Sequence, residues 1–280
     1  LMNLGERYKI RLKIMWSLSF SVVFFAVLVT FSSSCAVSDD HDKKNSELER
    51  RVEELESEEE AKPVSTQAPT TADPTATETK PTFESHEMPC GDYLVPVGKN
   101  SGWIADSCIP TELVLLPVSV AFDGCYLVPE AAQAVTDLIK EAKSKGIELV
   151  AVSCYRSYQY QKEIYDRNVR ELGEEKASLE VALPGYSEHQ LGTTVDISSA
   201  KVNFQLTQDF GDTHEGQWLD KHASNFGFVL SFPKGLESRT GYLYEPWHIR
   251  WVGVSLAKTI LETDLTLEEY LIDRLGYSPN

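Results

Sequence analysis

Between Pro129 and Gly146 apolar residues recur at three- and four-residue intervals: Ala132, Val135, Leu138, Ile139 and Ala142. Proline opens the stretch and glycine closes it. That pattern predicts a helix with one buried stripe. "IELVAVSCY" (147–155) is a short apolar run that reads as a buried strand. "SYQYQKEIYDRNVREL" (157–172) reads as a second helix, "TTVDIS" (193–198) alternates like a strand, and "EGQWLDKHASNFG" (215–227) returns to helical spacing. "FVLSF" (228–232) and "WHIRWV" (247–252) are further strand candidates, and a helix is expected from Val254. Helices and short strands are mixed without a regular βαβ alternation. The expected fold is therefore one α+β domain, a small and mainly antiparallel sheet flanked by helices.

The pattern breaks down before residue 89. "AKPVSTQAPTTADPTATETKPT" (61–82) is rich in Pro and Thr and has almost no large apolar residues. It cannot bury enough surface to offset the entropy of ordering, so it reads as an extended linker. Just upstream, Leu48, Val52 and Leu55 form a helical stripe too short for a confident coiled coil. Earlier still, the uncharged apolar run from Ile14 to Phe31 follows four basic residues, Arg7, Lys9, Arg11 and Lys13. This arrangement predicts a membrane-targeting segment with the rest of the chain outside. "SSSC" ends at Cys35 and has the small residues of a lipoprotein cleavage site, but Ser32 stands where leucine is usual. Lipid on Cys35 and an uncleaved membrane helix both remain open. The expected organisation is an anchor segment at 1–35, an acidic and Pro/Thr-rich linker at 36–88, and a folded domain at 89–280.

Charge narrows the partners. The chain has 43 acidic and 26 basic residues, a net charge of −17, which argues against a nucleic-acid partner. Apart from Cys35 there are four cysteines, an even number that suits an exported, disulfide-forming protein. Sequence nearness suggests Cys90 with Cys108 and Cys125 with Cys154, although four cysteines allow three pairings. No Cys-x-x-Cys spacing points to a zinc cluster.

The candidate chemistry lies in two stretches. His189 precedes Asp196 by seven residues with Gly192 between, and Glu245 precedes His248 by three. A catalytic zinc takes three protein ligands and keeps one position open. His189, Asp196 and His248 can supply the three. On a regular strand Glu245 and His248 would face opposite ways, but Pro246 argues against regularity, so both can face a metal. Spacing alone fits ordinary loop and strand residues as well. His214 and His222 read as surface residues.

"SEHQLGTTVDI" (187–197) resembles the Ser-x-His-x-x-Gly-x-x-x-Asp signature of the VanY-like D-alanyl-D-alanine carboxypeptidases, zinc peptidases related to lysostaphin and the hedgehog domain. "GYLYEPWHIRWVG" (241–253) resembles the second signature of that family. "SCYRSYQYQ" (153–161) resembles a third, with Cys154 where glycine is usual, and "GDYLVPVGKN" (91–100) resembles its opening segment. The resemblance implies one zinc ion held by His189, Asp196 and His248, and Glu245 as general base and acid. It implies Arg156 as the reader of a terminal carboxylate, with Gln161 and Ser187 holding the terminal residue. Trp247 would pack beside the metal, and a Cys125–Cys154 disulfide would account for the departure at Cys154. The implied substrate is the stem peptide of peptidoglycan, losing its C-terminal D-alanine outside the bacterial membrane. The primary expectation is a D,D-carboxypeptidase. An L,D-carboxypeptidase acting on tetrapeptide stems, a cross-link endopeptidase and an inactive zinc-stabilised wall-binding module are the alternatives.

Overall fold

The structure, a computed structural model, describes residues 86–118, 120–121 and 124–274. The apolar run at 14–31, Cys35, the Leu48–Leu55 stripe and the Pro/Thr-rich linker lie outside these residues. No helix among the described residues is long and apolar enough to cross a membrane.

Two short strands, β1 (His86–Glu87) and β2 (Gly102–Trp103), pair in parallel, and β3 (Val114–Leu115) pairs with β4 (Tyr126–Leu127) antiparallel. Helix α1 (Pro129–Ser144) follows, with Pro129 in its first turn and all five residues of the expected stripe buried. Then come β5 (Val150–Ser153), α2 (Tyr158–Leu172) and α3 (Glu174–Glu180). The main sheet is completed by β6 (Thr194–Ser198), β7 (Phe228–Leu230) and β8 (His248–Trp251), in the order β5-β6-β8-β7, with every pair antiparallel. Helices α4 (His214–His222), α5 (Glu237–Thr240), α6 (Val254–Leu261) and α7 (Leu267–Arg274) fill the remainder. The fold is thus a mixture of helices and small, mainly antiparallel sheets. The single helix expected over 215–227 is α4 followed by a 3-10 turn, Ala223–Phe226. Helices α3 and α7 had no counterpart in the sequence reading.

Every residue of β6 and β8 is buried, yet the two strands alternate. Val195, Ile197, Ile249 and Trp251 belong to the main apolar cluster with α1. The intervening positions are Thr194, Asp196, Ser198, His248 and Arg250, which must face the other way. Register decides who meets on that polar face: Asp196 sits opposite His248 on one side and opposite Ser153 on the other. A second apolar cluster packs α6 and α7 against Leu94, Val229 and Val252.

Arg250 has none of its surface exposed. It donates to the Glu188 carboxylate at 2.9 Å and to the carbonyls of Tyr93 and Val95 at 3.0 and 2.7 Å. The sheet is thereby tied to the opening segment of the domain. Disulfides join Cys90 to Cys108 and Cys125 to Cys154, the pairing that nearness suggested. Replacing Arg250 with Met would leave the Glu188 charge buried without its guanidinium. We expect Arg250→Met to lose on the order of 3 kcal/mol of stability, measured by denaturant unfolding with the disulfides intact. A loss within experimental error would contradict this account.

Candidate metal centre

His189 lies on a 3-10 turn, Glu188–Leu191. The turn ends at Gly192, whose φ of 74° lies in the left-handed region. A Cβ there would come within 3.1–3.2 Å of Leu113, Val128 and Pro110, so glycine is required both for the turn and for the packing. The turn sets its two neighbouring acid–base residues to different tasks. His189 Nδ1 lies 2.7 Å from the carbonyl of Cys154, to which it donates, leaving Nε2 as the free lone pair. Glu188 reaches across to His248 Nε2 at 2.8 Å. That contact leaves His248 Nδ1 facing the other way.

His189 Nε2 and His248 Nδ1 each stand 3.3 Å from the same atom, Asp196 Oδ1. One ligand atom from each of the three residues lies within 4.8 Å of the others, and all three residues are buried. His189 Nε2 and Asp196 Oδ1 have no hydrogen-bond partner among the described residues. Buried polar atoms are rarely left so, and orphaned lone pairs converging on one point are what a cation would satisfy. Donors bound to zinc in tetrahedral geometry at ~2.0–2.1 Å stand ~3.3 Å apart. The imidazole–imidazole–carboxylate set therefore fits zinc in both chemistry and spacing.

Glu245 precedes β8 in a tight turn in which the His248 amide donates to the Glu245 carbonyl at 3.1 Å. The irregularity expected from Pro246 brings its carboxylate to 3.5 Å from His248 Nδ1. Burial pushes the Glu245 carboxyl up to about 7. Arg156 donates through Nη2 to the outer oxygen of Asp196 at 2.5 Å and through Nε to Ser153 at 2.8 Å. Burial opposes the Asp196 charge, but the neighbouring histidines and the Arg156 guanidinium outweigh it and hold the carboxyl well below the usual range.

All seven predicted residues line one open cleft of about 1020 Å³. Gln161 is the only buried residue of α2. It donates to the Ala182 carbonyl at 2.8 Å, while its Oε1 is buried without a partner among the described residues. Ser187 is buried at the head of the 3-10 turn. Trp247 lines the cleft and packs on the main core. His214 is exposed, and His222 stacks on Trp218 at 4.7 Å, away from the site.

The sequence reading missed Glu188 and Arg250, which orient His248. A carboxylate beside a candidate ligand was the available signal for Glu188. For Arg250 it was a charge alternating with apolar residues inside a strand. Burial raises the Glu188 carboxyl, but Arg250 and then His248 outweigh it, lowering it to about 2. His248 is opposed by burial, yet the neighbouring carboxylates of Asp196 and Glu188 raise it to about 10. His189 goes the other way, to about 4, through burial and the nearby Arg156.

Three buried candidate ligands around one point, with an acid and an arginine beside them in an open cleft, form a candidate metal centre. The family model described as VanY, D-alanyl-D-alanine carboxypeptidase, matches residues 124–254. The putative carboxypeptidase YodJ of Bacillus subtilis is 47% identical over 165 residues, which is 58% of this chain and 60% of that protein. A structure of the LdcB LD-carboxypeptidase, described in terms of peptidoglycan recognition, is 43% identical with a TM-score of 0.60, covering 64% of this chain and 86% of that one. A mutant of the vancomycin-resistance D,D-pentapeptidase VanY in complex with Zn(II) is 31% identical with a TM-score of 0.55, covering 64% and 99%. The chain belongs to the VanY family of D-alanyl-D-alanine carboxypeptidases. It spans 60%, 52% and 44% of the length of three curated relatives, YodJ among them.

With its pKa raised to about 10, metal-free His248 carries a proton at neutral pH. Nδ1 must shed that proton to become a ligand. Zinc binding at pH 7 is therefore expected to release at least one proton per ion, one from His248 and a fraction from Glu245. Calorimetric titration in buffers of different ionisation enthalpy measures the number, and zero release would refute the assignment of the protonated state.

Proposed function

We propose that this chain is a zinc-dependent carboxypeptidase that removes the C-terminal D-alanine from peptidoglycan stem peptides. The observation that carries the reading is the convergence of His189 Nε2, Asp196 Oδ1 and His248 Nδ1 beside Glu245 and Arg156 in one cleft. Zinc held by the three ligands supplies a Lewis acid that polarises the scissile carbonyl and activates water. Glu245 takes a proton from the attacking water and returns it to the nitrogen of the departing D-alanine. Its buried carboxyl, raised to about 7, is suited to both halves of that transfer near neutral pH. A bound dication would favour its ionised form. Arg156 spends Nε and Nη2 on Ser153 and Asp196. That leaves both N–H groups of Nη1 and the second N–H of Nη2 to donate to the terminal carboxylate, beside the metal where an exopeptidase needs it. The unpartnered Oε1 of Gln161 and the Ser187 hydroxyl complete the pocket for the terminal residue.

The sequence favoured D,D-cleavage of pentapeptide stems. The higher identity to LdcB than to the zinc-bound VanY structure, 43% against 31%, supports a second reading, L,D-cleavage of tetrapeptide stems. An endopeptidase would have no free carboxylate for Arg156, and a binding module would have no use for Glu245. We further place the domain outside the bacterial membrane, held by lipid on Cys35 or by the apolar run of residues 14–31, with residues 36–85 as a spacer. The basic residues before the apolar run and the two disulfides support that location.

Mass spectrometry of pentapeptide and tetrapeptide stems incubated with zinc-loaded protein tests the reading. Loss of alanine from the pentapeptide alone means D,D-activity, and loss from the tetrapeptide means L,D-activity. If neither stem is shortened, the carboxypeptidase reading falls. On whichever stem is cleaved, Glu245→Ala is expected to lower kcat by roughly 10²–10⁴-fold with zinc still bound. Activity retained at the wild-type level would remove Glu245 from the mechanism.

A further inference from the structure

Pairing between β5 and β6 becomes irregular just before the site, where the register shifts between Ala151 and Ser153. The next three residues leave the ladder, and their main chain carries the site. The Cys154 carbonyl accepts from His189 Nδ1 at 2.7 Å. The Tyr155 amide donates to the Tyr126 carbonyl at 2.9 Å, and the Arg156 amide donates to the His189 carbonyl at 3.2 Å. One short segment therefore sets the ring of a candidate ligand and the origin of the arginine. The partner of this segment, β4, lies outside the main sheet, in a two-residue pair with β3. What joins the two covalently is the disulfide between Cys154 and Cys125, the residue immediately before β4. Both cysteines are buried and both line the cleft.

We propose that the Cys125–Cys154 disulfide positions the metal centre: it holds the Cys154 carbonyl against His189, so that opening it weakens metal binding and not merely the fold. The inference rests on His189, Asp196 and His248 being the metal ligands. The physical reason is that an imidazole ligand is oriented by the acceptor on its other nitrogen, and loss of such a partner typically lowers metal affinity about 10–100-fold. Here that acceptor is a main-chain carbonyl, which no substitution can delete, so the covalent tie holding the main chain takes over the role of a side chain.

The test compares the oxidised full-length chain with its Cys125→Ser/Cys154→Ser double variant, which leaves Cys90–Cys108 intact and adds no zinc-binding thiol. Zinc affinity is read by competition with a chromophoric chelator, and the melting temperature of the metal-free protein is recorded alongside. The expected result is about 10–100-fold weaker zinc binding in the variant, with a matching fall in kcat/KM. A lower melting temperature with unchanged zinc affinity would make the bond a simple staple and overturn the inference. Oxidised wild-type chain that binds no zinc would overturn the ligand assignment itself, and this inference with it. Should the serine pair fail to fold, a Cys125→Ala/Cys154→Ala pair, which likewise leaves Cys90–Cys108 intact and adds no zinc-binding thiol, replaces it; zinc affinity is again expected to fall, and unchanged affinity would reject the proposal.

Discussion

Asp196 is an ionised carboxylate with 1% of its surface exposed, and the rest of the site is arranged around the need to compensate it. A buried charge is tolerated only when paired and hydrogen-bonded. Here the pairing extends into a chain of alternating sign: Arg156, Asp196, protonated His248, Glu188 and Arg250. Each internal member lies between two opposite charges, so removing one brings like charges into proximity. Metal loading fits the same alternation. An ion held there would take the place of the His248 proton beside Asp196, while Glu188 would keep its hydrogen bond to the far side of the ring. Register and electrostatics meet at this residue, because the ladder that sets Asp196 opposite His248 also fixes the spacing of the charges.

The two histidines present different nitrogens for the same reason. His189 spends Nδ1 on a main-chain carbonyl and turns Nε2 inward, whereas His248 spends Nε2 on Glu188 and turns Nδ1 inward. The coordination set is thus chosen by acceptors outside it. Those acceptors come from a strand end and from the 3-10 turn that carries His189 itself. Glycine at 192 lets the turn close tightly enough for adjacent residues, Glu188 and His189, to serve opposite sides of the centre.

The alternation in "TTVDIS" and "WHIRWV" already separated an apolar face from one bearing Asp196 and His248, so much of the site's architecture was legible before any coordinates. Pro246 likewise announced the break that lets Glu245 reach His248. What stayed hidden depends on distant partners. Glu188 and Arg250 are 62 residues apart, and no local pattern foretells that they meet. Helix α3 buries only Ala177, so it has no stripe to read. The strands β1 to β4 are two residues each, too short for a period of two to register. The nearness argument for the disulfides worked because each bridge spans a single excursion of chain, 18 and 29 residues.

Helix α2 shows how the labour is divided. A helix that packs on a core buries a stripe, yet α2 buries only Gln161. The residues it presents to the cleft, Tyr160, Gln161, Ile164, Arg167 and Asn168, nonetheless share helical spacing. Its periodicity therefore answers to the cleft rather than to the core. The metal side of the site is set by the ladder, the buried charges and the 3-10 turn, where a change in one residue disturbs several others. The substrate side rests on a helix whose outward positions carry little of the packing. The cleft, at about 1020 Å³, is far larger than one terminal alanine requires and leaves room along its walls for more of a bound peptide. On the proposed reading, substitutions on this face of α2 would alter which peptide is accepted while leaving His189, Asp196 and His248 undisturbed. One metal-site chemistry and more than one substrate preference would then be compatible within a single fold.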